Sequence, residues 1–158
     1  MEQKNATPVN YHQNLDPKTL IMKTLRKMKC KPRVHKNHKN EIYFEHLDKY
    51  YYIQFFKDCV LAYLFRPWWY EDKLDNPEKV DVIKKAVNQV NTIKTGTTTW
   101  YNVDPEVNVI GVHSRSELVL VPEIPDLDQF LLGKLYEMLQ VQYKLEMVIE
   151  EETEVEQA

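Results

Sequence analysis

The sequence predicts an α+β fold, a single domain in the order α-β-β-β-α-β-β-α, with a bent antiparallel sheet of five strands packed against three helices. Three observations carry this. Asp16-Pro17 and Asn76-Pro77 each place a capping side chain before a residue that needs no amide hydrogen, and Asp126 offers a third cap. Behind each cap, apolar residues recur three and four apart, whereas the intervening stretches are short β-branched and aromatic runs. The 158 residues, 43% hydrophobic and 28% charged, suit one core, since a domain commonly takes ~100–200 residues.

Residues 1–15 are polar and unpatterned and read as a flexible N-terminal tail. The domain proper is expected over 16–150. Its first helix carries Leu20, Ile21, Leu25 and Met28 on one face, runs to about Lys29 and is stopped by Pro32. From Glu41 the runs EIYFEHL, YYYIQFF and CVLAYLF alternate with the charged pairs Asp48-Lys49 and Lys57-Asp58, which gives three antiparallel strands joined by hairpins. Neither pair has the Asn-Gly character of a type I′ turn, so loops longer than two residues are expected.

The second helix places Val80, Ile83, Val87 and Val90 on one face, with Gly96 as its stop. TTTWYNVD then reads as a strand, and VNVIGVHSRSELVLVP as a long one that Gly111 or the SRS triplet should bulge or bend. The last helix carries Leu127, Phe130, Leu131, Leu135, Met138, Leu139 and Leu145. It is expected to end near Glu150, because the acidic tail at 151–158 puts negative charge at the negative end of the macrodipole.

Several chemistries lack their residues. The three glycines, Gly96, Gly111 and Gly133, are too scattered for a phosphate-cradling or dinucleotide loop. The only serines, Ser114 and Ser116, sit in GVHSRS, which does not form a nucleophile elbow. No apolar run suits a signal peptide or membrane span, and the net charge of −3 gives no general attraction to nucleic acid or anionic lipid. A cytoplasmic protein with two reduced thiols, Cys30 and Cys59, is expected.

The element order, together with AVNQVN in the second helix, where Asn88 and Asn91 stand three apart before a threonine-rich strand, resembles the YbjN-like family of bacterial sensory transduction regulators. The likeness spans roughly residues 16–150. It implies the fold of type III secretion chaperones, no catalytic residues, and, as in those chaperones, a homodimer that binds extended client segments. The basic stretch after the first helix and RPWWYED depart from the family, and the resemblance supplies no functional residue. The amides of Asn88 and Asn91 are expected to bond the start of the following strand.

Ten of the chain's rings (10 Tyr, 5 Phe and 3 Trp in all) fall within residues 50–70. Alternation puts Tyr50, Tyr52, Gln54 and Phe56 on one face and Tyr51, Ile53 and Phe55 on the other. In the next strand Cys59, Leu61, Tyr63 and Phe65 oppose Val60, Ala62 and Leu64. Both faces are apolar, and such strands ordinarily have both faces covered. The helices cover one. A second copy of the chain or a client segment should cover the other, with tyrosine rings lying on a monomer's surface as the plainer account. Pro67 should put RPWWYED at an edge or outside the sheet, one tryptophan turned inward and the other free as a hot spot. The expected partner-binding residues are Tyr50, Tyr52, Phe56, Tyr63, Phe65, Trp68 and Trp69.

Residues 23–39 hold eight Lys or Arg and no acid, and with nearby rings this raises single-stranded nucleic-acid binding as an alternative. Cys30, His35 and His38, with His46 or His12, have a loose zinc-like spacing but no paired knuckle. Glu123, Asp126 and Asp128 read as capping and first-turn acids rather than an acid-base pair. The expectation is a non-catalytic, chaperone-like or regulatory protein-binding module without cofactor or metal, acting through an apolar sheet face as a homodimer.

Overall fold

In a computed structural model, described for residues 16–157 except 94 and 122, three helices back one six-stranded antiparallel sheet. The flexible-tail expectation for 1–15 lies outside the described residues. The elements are α1 (Pro17–Lys27), β1 (Arg33–Val34), β2 (Glu41–His46), β3 (Lys49–Phe55), β4 (Leu61–Lys73), α2 (Pro77–Val90), β5 (Thr97–Asp104), β6 (Val109–Val119) and α3 (Leu127–Gln157). The sheet runs β1-β2-β3-β4-β6-β5.

Both predicted proline starts are helix starts. The Asp16 side chain accepts from the Lys18 and Thr19 amides and that of Asn76 from Lys79, as caps do. Asp126 directly precedes α3, and its carbonyl accepts from Phe130.

Six corrections concern where elements end or bend. A sixth strand, β1, arises inside the basic segment, with Arg33 opposite Tyr43 and Val34 opposite Ile42; two residues are too few to leave a periodic signal. α1 stops at Lys27, and Lys29 already has a positive φ of 61°. The β2–β3 turn is the tight pair Leu47-Asp48, not Asp48-Lys49. Both residues have positive φ, as a type I′ turn requires, without the glycine that makes it easy. α2 ends at Val90, several residues before Gly96. α3, expected to end near Glu150, runs on to Gln157; its core residues stop at Ile149, and of 151–155 only Thr153, whose hydroxyl donates to the Ile149 carbonyl, is not exposed.

The sixth correction matters most for the site. RPWWYED does not leave the sheet: it continues β4, whose pairing with β6 passes from Arg66↔Ser114 to Tyr70↔Val112. Residues 67–69 are squeezed opposite His113 alone, a bulge in β4 rather than in β6, which stays unbroken through Gly111 and SRS. Pro67 fits there because a bulge residue need not donate to the ladder.

The core falls into two clusters side by side under the sheet. One joins α1, the inner residues of β2, β3 and early β4, and the first half of α3 as far as Met138. The other joins α2, Ile110 and Val112 of β6, and α3 from Val141 to Ile149. The predicted α2 stripe of Val80, Ile83, Val87 and Val90 is buried in full.

Candidate functional site: the outer aromatic face

Strand alternation turns Ile42, Phe44, Tyr51, Ile53, Phe55, Ala62 and Leu64 toward the helices, all of them buried. The opposite face carries no helix. There the register sets Tyr43 beside Tyr52 and Tyr52 beside Phe65. Their rings stack across the strands, with centroids 5.3 Å apart at 25° and 4.7 Å apart at 10°.

The row continues in both directions. His35 lies 5.3 Å from Tyr43 at the β1 end. On the other side Phe65 meets Trp100 edge-on at 6.3 Å, Trp100 stacks on His113 at 5.4 Å, and His113 meets Trp68 edge-on at 4.6 Å. A branch leaves Phe65 through Tyr63 at 6.0 Å to Phe56 at 5.2 Å, with the Arg115 guanidinium 4.6 Å over the Tyr63 ring. The result is one connected ladder of rings spanning the sheet.

Of the residues expected to bind a partner, Tyr50, Tyr52, Phe56, Tyr63, Phe65 and Trp68 share this face. Tyr50 and Trp68 are the most open, 69% and 44% exposed, and Phe56 is also exposed; the stacked rings of Tyr52, Tyr63 and Phe65 are half-buried by one another. Trp69 is not on it. Its ring packs against the second core cluster, and its indole Nε1 donates to Ser114 Oγ at 3.0 Å. The inward tryptophan is therefore Trp69 and the free one Trp68.

Trp68 is held by three features at once. Its φ is +46°, a costly conformation for a bulky residue. Its backbone N–H donates to His113 Nδ1 at 3.1 Å, which replaces the ladder bond lost at the bulge. Its ring covers Gly111 so closely that a Cβ there would lie 2.0 Å from the ring carbons. Gly111 is a glycine for closeness, not for φ.

Electrostatics on the face are local. Tyr43 donates to Glu41 Oε2 at 2.7 Å, and burial together with that carboxylate pushes its hydroxyl up to about 12. A bond to Glu45 raises Tyr50. His113 is 5% exposed, and burial holds it below the usual histidine value. Since Nδ1 accepts from Trp68, the proton sits on Nε2, which has no partner among the described residues.

Sequence reasoning missed Tyr43, Trp100, His113 and Arg115 as members of the face. Alternation alone places each on a face of its own strand, but only the β4-β6-β5 order brings Trp100 and His113 to Phe65. The zinc-like set does not converge. Cys30 Sγ lies 3.9 Å from His46 Nδ1, His35 pairs with His38, and among the described residues no group of three His, Cys, Asp or Glu is placed to hold a metal. Cys30 and Cys59 are both free thiols. No described helix is long and apolar enough to cross a membrane.

No family model and no curated protein matches the chain. A solved structure does, described as "Crystal structure of YbjN, a putative transcription regulator from E. coli", aligning over 87% of this chain and 91% of that one with a TM-score of 0.52. The chain has the YbjN fold. Identity to YbjN is 9%, so what the two share is architecture, and the aromatic ladder must be read from this chain's own residues. The expected single-domain α+β arrangement of helix, strands, helix, strands, helix is the one observed, and it is consistent with the YbjN fold.

Proposed function

We propose that the protein is a non-catalytic binding module that buries its outer sheet face against a protein partner and works as a homodimer. The observation that carries this is the ladder itself: rings joined across the sheet, with Tyr50, Phe56 and Trp68 left open at its margins. Aromatic side chains bring ~150–250 Å² each, and a contiguous patch beyond a few hundred Å² is unusual on a soluble monomer unless something docks there. Rigid tyrosine and tryptophan anchors are also the residue types that dominate binding energy. A regulatory role accords with the description of YbjN as "a putative transcription regulator".

Single-stranded nucleic acid is a second reading with one observation in its favour: β1, from the basic segment, lays Arg33 opposite Tyr43 and brings His35 against it. Ring orientation weighs against it. A base-stacking platform must present ring faces outward. Here the faces of Tyr43, Tyr52 and Phe65 are occupied by one another, so their edges point to solvent.

A random peptide library displayed on phage tests the first reading. Enriched sequences should be extended, with apolar residues alternating, and should bind Phe65→Glu or Trp68→Ala ~10-fold or more weakly, the scale of a hot spot. No enrichment would overturn it. Retention of poly-uridylate that falls steeply with salt would favour the nucleic-acid reading instead.

A further inference from the structure

The sheet has two edges, and they are managed differently. β1 at one edge is two residues long and basic, a short charged edge of the kind that resists pairing. β5 at the other edge is eight residues long and carries no charge from Thr97 to Val103.

In an antiparallel strand the N–H and C=O of one residue point the same way, and the direction alternates along the chain. On β5 the side-chain amide of Asn91 fixes which residues point outward. Its Nδ2 donates to the Thr99 carbonyl at 2.7 Å and its Oδ1 accepts from the Thr99 amide at 2.9 Å, so Thr99 faces away from β6. Thr97, two residues earlier, is covered in the same way by the Thr95 hydroxyl, which accepts from its amide and donates to its carbonyl. Tyr101 and Val103, the next two in the series, have no such cover: among the described residues no bond is made to their outward groups. Both are also open to solvent, at 36% and 47%.

We infer that this uncovered window of β5 pairs with the same window of a second copy of the chain, antiparallel about Asn102. The register is self-complementary. Tyr101 falls opposite Val103 of the second copy and Val103 opposite its Tyr101, giving two doubly hydrogen-bonded pairs, while Asn102 faces Asn102 at a non-bonded position. Outside the window, Thr99 falls opposite Pro105 of the second copy. Asn91 has already satisfied Thr99, and Pro105 has no amide hydrogen to satisfy, so the pairing ends without an orphaned donor. The absence of charge from 97 to 103 removes the like-charge cost of bringing identical strands together. Ile93, also exposed, sits in the turn between Asn91 and Thr95 on the side from which both cover this edge.

Strand pairing of this kind keeps the outer faces of both copies on one side. The two aromatic ladders, each reaching Trp100 on β5, join into one surface twice as wide. This rests on the proposed homodimer and deepens it, since it assigns the second copy to the edge and leaves the ring face free for a different protein.

Sedimentation equilibrium from dilute to concentrated solution tests it with two variants. Val103→Pro removes only an outward-pointing amide, because the ladder to β6 uses the groups of Asn102 and Asp104. It should weaken the dimer ~10-fold or more with an unchanged circular dichroism spectrum. Phe65→Glu should leave the dimer as tight as wild type. Asn102→Cys supplies a measurement independent of Val103: facing cysteines at a non-bonded antiparallel pair lie within disulfide reach, so mild oxidation should give a covalent dimer where Thr98→Cys does not. A wild-type protein that stays monomeric throughout, or an Asn102→Cys that cross-links no better than Thr98→Cys, overturns the edge pairing. A dimer lost in Phe65→Glu but kept in Val103→Pro overturns it too, and assigns the second copy to the ring face. Peptide binding to that face is read separately, so either proposal can fail alone.

Discussion

His113 joins the backbone of the β4 bulge to the ring ladder, and its protonation state decides whether it can. Only a neutral imidazole accepts the Trp68 amide at Nδ1. Burial depresses its folded-state pKa, so below the unfolded value of ~6.5 the unfolded chain binds more protons than the folded one. The stability this group contributes is therefore present above that value and is lost as pH falls through the depressed folded value. Urea unfolding over a series of pH values should show His113→Asn, whose side-chain oxygen can still accept from Trp68, falling less steeply on acidification than wild type. Equal slopes would mean that the imidazole does not titrate against folding.

Arg66 is the other polar group that alternation alone does not explain. It points inward, is 5% exposed, and lies 5.8 Å over the Tyr51 ring of one core cluster and 5.5 Å over the Trp69 ring that packs on the other. The only hydrogen bond of its side chain among the described residues goes to Gln142 Oε1, and the Gln142 amide in turn donates to Glu146 at 2.6 Å. Burial lowers its pKa, as expected for a cation without a direct carboxylate partner. If its role is to fill the seam between clusters, Arg66→Ala should cost ~2–5 kcal/mol while Arg66→Met recovers most of that. Thermal unfolding of the two variants decides between packing and charge.

Among the elements, β4 is the one that sequence reading cut short. Its two faces were legible as far as Phe65, because period-two alternation is local and the strand is apolar on both sides. Pro67 and the paired tryptophans suggested an exit from the sheet, since proline removes a donor. The structure absorbs the donor deficit in a bulge and supplies the missing acceptor from His113, a residue 45 positions away in the chain. A replacement so distant leaves no local mark. Gly111 belongs to the same arrangement, as the floor on which Trp68 rests. Gly111→Ala should expel that ring and cost ~1–3 kcal/mol, the range for overpacking. A red shift of tryptophan emission would report the expelled ring, and an unshifted spectrum with wild-type stability would refute the close packing.

Taken across the fold, helix starts and strand faces were readable from caps and periodicity, and the resemblance to the YbjN-like family rested on the element order and the AVNQVN stretch. The strand β1 and the unbroken β6 were not, because each depends on the strand that pairs beside it. The same holds for the site. Six of the seven expected binding residues lie on one face: five follow strand parity, whereas Trp68, which parity alone would turn inward, is outside and Trp69 inside because the bulge reverses the alternation at that point. The ladder's far half, from Trp100 to Trp68, needed the sheet order. Asn91 is the exception that sequence anticipated for the right reason: its amide bonds the start of the next strand, while Asn88 is exposed.

α3 follows every described strand, yet it lines both core clusters. On the ribosome, then, the whole sheet emerges before either hydrophobic pocket beneath it can close. The nascent domain carries greasy surface on both sides until α3 has emerged, an interval in which exposed apolar strands are open to aggregation.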